Sequence, residues 1–181
     1  MSSPAASEGG DPRSSLGRGR ATLGAVISGT VLFLDQASKA WADKTLAGQA
    51  PVTVVDSFFH LTYHRNTGGV FGLFAGTATI SRRLFFLTAS ILALVFVLYL
   101  IREWGRDSLL ALWGLSLICG GALGNLVDRV RYGEVIDFID WHWYSHHWPT
   151  FNNADSAITM GTSLLLLSVF LAPSPARPPE A

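Results

Sequence analysis

The sequence is poor in cysteine: Cys119 stands alone, so no intrachain disulfide can form and no cysteine-based zinc site is available. It also lacks net charge. Thirteen Lys and Arg balance thirteen Asp and Glu, and no basic run is long enough to follow a phosphate backbone, which argues against a nucleic-acid partner. Charge of either sign is scarce, 14% against 49% hydrophobic residues, where soluble domains carry about 25%. What fills the gap is long apolar runs, and these point to a membrane protein of one domain.

Four stretches have the length and apolarity of spanning helices, since a bilayer core takes about 20 residues. They run from Thr22 to Ala42, Leu84 to Ile101, Ser108 to Val127 and Ser156 to Ala172. Backbone in lipid must satisfy its own hydrogen bonds, so the expected fold is an all-α bundle of four transmembrane helices over residues 21–172. The Ser/Gly/Pro-rich residues 1–20 and the tail 173–181 read as disordered. Within the third stretch, "CGGALG" offers small residues for close helix approach, and Cys119 reads as packing.

The connection from Asp43 to Arg83 is too long for a bundle turn. Its "VTVVDSFFHLTYH" is β-branched and aromatic, which predicts a small extramembrane sheet at about residues 46–75. "IREWGRD" reads as a tight polar turn. The Trp and Tyr residues of "WHWYSHHW" suit the lipid headgroup zone,.

Four alternating crossings bring the end of the first helix, the first connection, the end of the third helix and the start of the fourth to one face. Asp35, Lys39, Asn66, the charges from Asp128 to Asp137, and Asp155 therefore gather there. The positive-inside rule barely discriminates. Arg13, Arg18 and Arg20 before the first span favour cytoplasmic termini, with the polar face on the outer side,.

Ionisable groups at membrane depth mark a site by default. Asp35 and Lys39 are an i, i+4 pair that can neutralise itself on one helix face. Asn66, followed by Gly68 and Gly69, reads first as part of a turn, with His60 and His64 as sheet-surface residues,. Asp128 beside Arg129 could be a helix-end charge group. Asp137, flanked by apolar residues in "VIDFID", should have a raised pKa unless a cation or donors compensate,. Asp155, where the fourth helix begins, suits an N-cap. Two carboxylates at one boundary can share a proton, one acting as acid and the other as base, which supports amide hydrolysis by an activated water without metal or cofactor.

Four segments in order, "LDQASK", "NTGGVFGLF", "GGALGNLVDRVRYGEVIDF" and "FNNADSAITMG", resemble the lipoprotein signal peptidase family (signal peptidase II) of bacterial membrane aspartyl peptidases. The resemblance implies a catalytic dyad of Asp137 and Asp155. It implies active-site or supporting roles for Asp35, Lys39, Asn66, Asn125, Asp128, Arg129, Asn152 and Ala154, with Asp128 expected to hold Arg129 or the helix end. It further implies removal of the signal peptide from diacylglyceryl-modified prolipoproteins, on the N-terminal side of the lipidated cysteine, at the outer face of the bacterial inner membrane. Membrane lipid and the precursor are the partners, and a monomer is expected. Gly69, where the family more often has Ala, and Arg82 with Arg83 on the expected outer side depart from the pattern.

Two rival readings belong to other classes. A small transporter or proton-relay protein would use Asp35, Lys39, Asp137 and Asp155 as steps, but the second helix offers none,. A metallopeptidase would use His142, His146 and His147 with Asp140, but no H-E-x-x-H helix accompanies them,.

Overall fold

The computed structural model describes residues 12–68, 79–105 and 107–172. Residues 1–11 of the expected N-terminal tail, the tail 173–181, and the part of "NTGGVFGLF" from Gly69 onward lie outside the described residues. Helix α1 runs from Pro12 to Thr45 over 34 residues. It starts well before Thr22, so residues 12–20, expected as unstructured, are helical. Proline suits the first turn of a helix, and extending a helix already formed by an apolar span takes little free energy per residue. At 1.5 Å per residue α1 is about 51 Å long, more than the hydrocarbon thickness, so it projects beyond a bilayer.

Strands β1 (Val52–Val55) and β2 (Phe59–Asn66) follow, then helices α2 (Ile80–Trp104) and α3 (Leu109–Tyr132). Strands β3 (Val135–Trp143) and β4 (His146–His147) lead into α4 (Asn153–Phe170). The strands form one antiparallel sheet in the order β1-β2-β3-β4. The predicted sheet is therefore only half of the observed one. Its other half comes from "VIDFIDWHW" and the histidines that were read as interfacial loop.

Among the described residues, three helices are long and apolar enough to cross a membrane: Gly17–Thr45, Ile80–Trp104 and Leu109–Tyr132. The 18-residue α4, with a polar first turn, is not among them. Helix α2 has one buried residue, Val97, and exposes Leu84, Phe85, Leu92, Val95 and Phe96. Such a surface suits lipid, not water. Helix α3 is the centre, packed on α1, α2 and α4. Its small residues permit this: a Cβ on Gly121 would lie 2.5 Å from the Ala154 carbonyl oxygen of α4. Cys119 sits in the apolar core with Val97 and Leu115.

Helix α3 ends at Gly133, whose left-handed φ of 74° is easy for glycine,. Arg83 lies over that cap, close enough that a Cβ on Gly133 would be 2.6 Å from its Nε. A cation against a helix C-terminus is favourable, which accounts for an arginine on this side of the molecule. Phe138 packs on Ala42 and Leu46, locking β3 to the end of α1.

Candidate active site

Asp35 and Lys39 meet as their spacing predicts, with Lys39 Nζ 2.9 Å from Asp35 Oδ2. The same ammonium lies 2.9 Å from Asp128 Oδ2 on α3 and donates to Asn125 Oδ1 at 2.9 Å. All three of its N–H groups thus have acceptors. The three charged residues are at most 2% exposed. Gln36 Nε2 donates to Asp128 Oδ1, to Asp35 Oδ2 and to the Gly124 carbonyl. Asp35 Oδ1 accepts the Ala154 N–H at 2.9 Å, and Asp128 Oδ2 accepts the Ile136 N–H at 3.2 Å. One buried ion cluster therefore ties α1, α3, β3 and the start of α4 together.

Beside it lies a second polar group built mainly on amides. The backbone bridge between Ile139 and Phe151 lays the start of α4 along β3, so Asn152 comes next to Asp137. Asn152 Nδ2 donates to Asp137 Oδ1 at 2.6 Å, and Asn66 Nδ2 donates to Asp137 Oδ2 at 3.0 Å. Asn66 Oδ1 in turn accepts the Gly68 N–H, a turn that fixes its amide,. On the other side, Asn125 Nδ2 donates to Asp155 Oδ1 at 2.8 Å. Asn152 and Asp155 form a capping box: Asn152 Oδ1 accepts the Asp155 N–H, and Asp155 Oδ2 accepts the Asn152 N–H. Since Lys39 can only donate, Asn125 must offer it oxygen and turn its NH₂ toward Asp155.

Asp137 is 1% exposed and Asp155 is half-buried. Among the described residues no cation lies within ion-pair distance of either. Burial pushes the Asp137 carboxyl up to about 7, and the negative charge of Asp155 adds to the rise. Hydrogen bonds from Asn66 and Asn152, and the charge of Lys39, oppose it. Asp155, in the first turn of α4, faces the favourable end of the helix dipole,. A carboxyl that holds its proton near neutrality beside a carboxylate can give and take protons in one reaction.

A family model described as signal peptidase (SPase) II matches residues 27–171. The chain belongs to the signal peptidase II family. The lipoprotein signal peptidase of Geobacter sulfurreducens is 46% identical over 146 residues, covering 80% of this chain and 89% of the relative. That of Syntrophotalea carbinolica is 44% identical over 143 residues, covering 79% and 88%. A bacterial membrane enzyme solved by the in meso method at 1.9 Å resolution superposes with a TM-score of 0.73 at 30% identity, covering 83% of this chain and 94% of that one. Membership in a signal peptidase family makes the chain a protease, and its apolar helices make it an integral membrane protein.

In this member of the signal peptidase II family the candidate site residues come together, though one acts differently than anticipated. Asp155 is not the N-cap of α4: Asn152 is, and Asp155 is the reciprocal N3 acid. Asp128 takes the second of the two roles expected for it, bonding the chain just past the end of α3, and adds bonds to Lys39 and Gln36. Arg129 is half-buried, donates through Nη1 to the Asn125 carbonyl at 3.4 Å, and acts electrostatically on Asp155, Asp128 and Asp137. Ala154 is fully buried, and its N–H serves Asp35. Gln36, which links Asp35 to Asp128, escaped the sequence reading. Its position three residues before Lys39, on the same helix face, was the available signal. Gly69 lies outside the described residues.

Proposed function

We propose that the chain is an aspartic endopeptidase of the membrane that removes signal peptides from diacylglyceryl-modified prolipoproteins, with Asp137 and Asp155 as its dyad. The observation that carries this reading is the asparagine ladder: Asn152 bonds both Asp137 and Asp155, while Asn125 bonds Asp155 and is itself held by Lys39. Asp155 takes a proton from a water as the water oxygen attacks the scissile carbonyl carbon. Asp137 gives its proton to the carbonyl oxygen. As the tetrahedral intermediate collapses, Asp155 passes its proton to the nitrogen, the C–N bond breaks, and Asp137 regains a proton from the hydroxyl that becomes the new carbonyl. The raised Asp137 supplies the acid, and the helix terminus supports Asp155 as the base,.

Asn66, Asn125 and Asn152 orient the pair, and Asp35, Lys39, Asp128 and Ala154 hold the helices that carry it. Arg129 steers polar atoms of the lipid or peptide. The substrate is already embedded in lipid, and cleavage falls on the N-terminal side of its modified cysteine. In this reading α4 completes four crossings, the protein acts as a monomer, the dyad faces outward from the inner membrane, and both termini are cytoplasmic. The exposed Trp141, Trp143, Tyr144 and Trp148 suit the outer lipid headgroups,. A proton relay is the weaker reading, because Asp35, Lys39, Asp137 and Asp155 gather at one end of the helices and α2 carries no Asp, Glu, Lys, Arg or His between Leu84 and Ile101.

The test is turnover of a synthetic diacylglyceryl-cysteine precursor by purified wild type, Asp137→Asn and Asp155→Asn. Each substitution is expected to remove activity by about 10³-fold or more, since each deletes a proton-transferring group. The products should have masses that place the cut before the lipidated cysteine. Full turnover in both variants would reject the dyad, and a cut elsewhere would reject the cleavage site.

A further inference from the structure

A second cluster of titratable groups lies on the extramembrane sheet, and the peptidase reading makes no use of it. Asp140 and His142 are two apart on β3, so they share a sheet face, whereas Asp137 points to the other,. Register places His60 of β2 opposite Asp140 and His147 of β4 opposite His142. The ligating atoms of His60, Asp140 and His142 all lie within 4.8 Å of one another. His60 Nδ1 is 3.8 Å and His142 Nδ1 4.0 Å from Asp140 Oδ2. The His60 and His142 rings are 4.1 Å apart. His147 Nδ1 is 2.9 Å from Asp140 Oδ1 and 3.0 Å from Oδ2.

Two features make this more than a surface charge group. Asp140 and His142 are 7% and 6% exposed. His142 Nδ1 is also buried with no hydrogen-bond partner, which a polar atom tolerates poorly unless something else occupies its lone pair or takes its proton. Zinc bonds of about 2.0–2.1 Å space tetrahedral ligand atoms about 3.4 Å apart, so small ring rotations would close the set. Two imidazoles and a carboxylate with a fourth position open for water are a ligand set that zinc takes.

We propose that His60, Asp140 and His142 hold a zinc ion, with His147 bonding the carboxylate as an outer partner, and that the ion staples β2 to β3. The histidine that joins Asp140 and His142 is thus His60 of the neighbouring strand, not His146 of the rival metallopeptidase reading. Three protein ligands leave a fourth position for water. The ion lies on the far face of β3 from Asp137 and takes no part in peptide cleavage, so the proposal is independent of the dyad.

The experiment uses tag-free protein in detergent, stripped with chelator and titrated with Zn²⁺ and with Co²⁺. The expected result is one equivalent bound per chain, visible absorption of tetrahedral Co²⁺, and a raised melting temperature on Zn²⁺ addition. His60→Gln and His142→Gln should each abolish binding, and His147→Ala should weaken it by about 10–100-fold. His146→Ala and Asp137→Asn should leave it unchanged. Wild type that takes up no Zn²⁺ overturns the proposal whatever the variants do. So does binding that survives in the His60→Gln, His142→Gln double variant, or that falls with His146→Ala as far as with His142→Gln.

Discussion

Two pairs of aspartates lie side by side in this protein and are treated in opposite ways. Asp35 and Asp128 are both within 2.9 Å of a buried lysine and take further hydrogen bonds from Gln36 and the backbone. Asp137 and Asp155 receive amides and no contacting cation among the described residues. The first arrangement fixes charge; the second leaves a proton free to move. The fold therefore spends its one buried lysine on architecture, and the neighbouring pair keeps a negative charge with no cation in contact among the described residues, which leaves its proton free to transfer,.

The sharpest way to break this comparison is to exchange the consequences. Lys39→Met leaves Asp35 and Asp128 facing each other in the interior, and it should lower stability by about 3–5 kcal/mol, read as unfolding in detergent. Asp137→Asn should instead preserve or raise the melting temperature at alkaline pH while abolishing turnover. Equal destabilisation by the two substitutions would erase the distinction.

The next effect is in pH. Asp137 is an acid raised from 3.8 to about 7, so the folded form holds a proton that the unfolded form has lost between those values. Its contribution to stability is full below about 4, falls as pH rises through about 7, and is constant above. Turnover should fall about tenfold per pH unit above that limb, since the proton donor is being lost. Asp137→Asn should flatten the stability slope in this window. An alkaline limb set by another group would appear as an unchanged slope in that variant.

A smaller change sharpens the same point. Asn66→Ala deletes one of the hydrogen bonds that hold Asp137 down, so the alkaline limb should move upward and Asn66→Gln should restore part of it. A downward move would contradict the assignment of Asn66 as a donor to the charged carboxylate. Smallest of all, Gly121→Ala forces α3 away from Ala154 and should lower the melting temperature by the equivalent of about 1–3 kcal/mol, with the pH limb unmoved.

Much of the site was legible because its parts obey local rules. Asp35 and Lys39 are one helical turn apart, and Asp155 stands where an apolar run begins, so their placement follows from helix geometry alone. Asp137 was legible through its apolar neighbours, but not as a strand residue: "VIDFIDWHW" mixes a continuous apolar run with aromatics, and such a run does not reveal its pairing partner. Gln36 looked like an ordinary polar residue because its role depends on Asp128, 92 positions away. The start of α1 was placed too late because composition reports what a segment would do alone, not what an adjoining helix induces.

By itself the sequence determined three apolar spans, the gathering of Asp35, Lys39, Asp128, Asp137 and Asp155 at one end of them, and the family. These depend on hydropathy, short spacings and motif order, all properties of neighbouring residues. Only the tertiary structure decided which carboxylate meets a cation and which meets an amide, and which histidine faces Asp140 across the sheet. Such choices are made by strand register and by the close approach of α3 to α1 and α4. They join residues far apart in the chain, where the energy of a charge is set by what surrounds it in space.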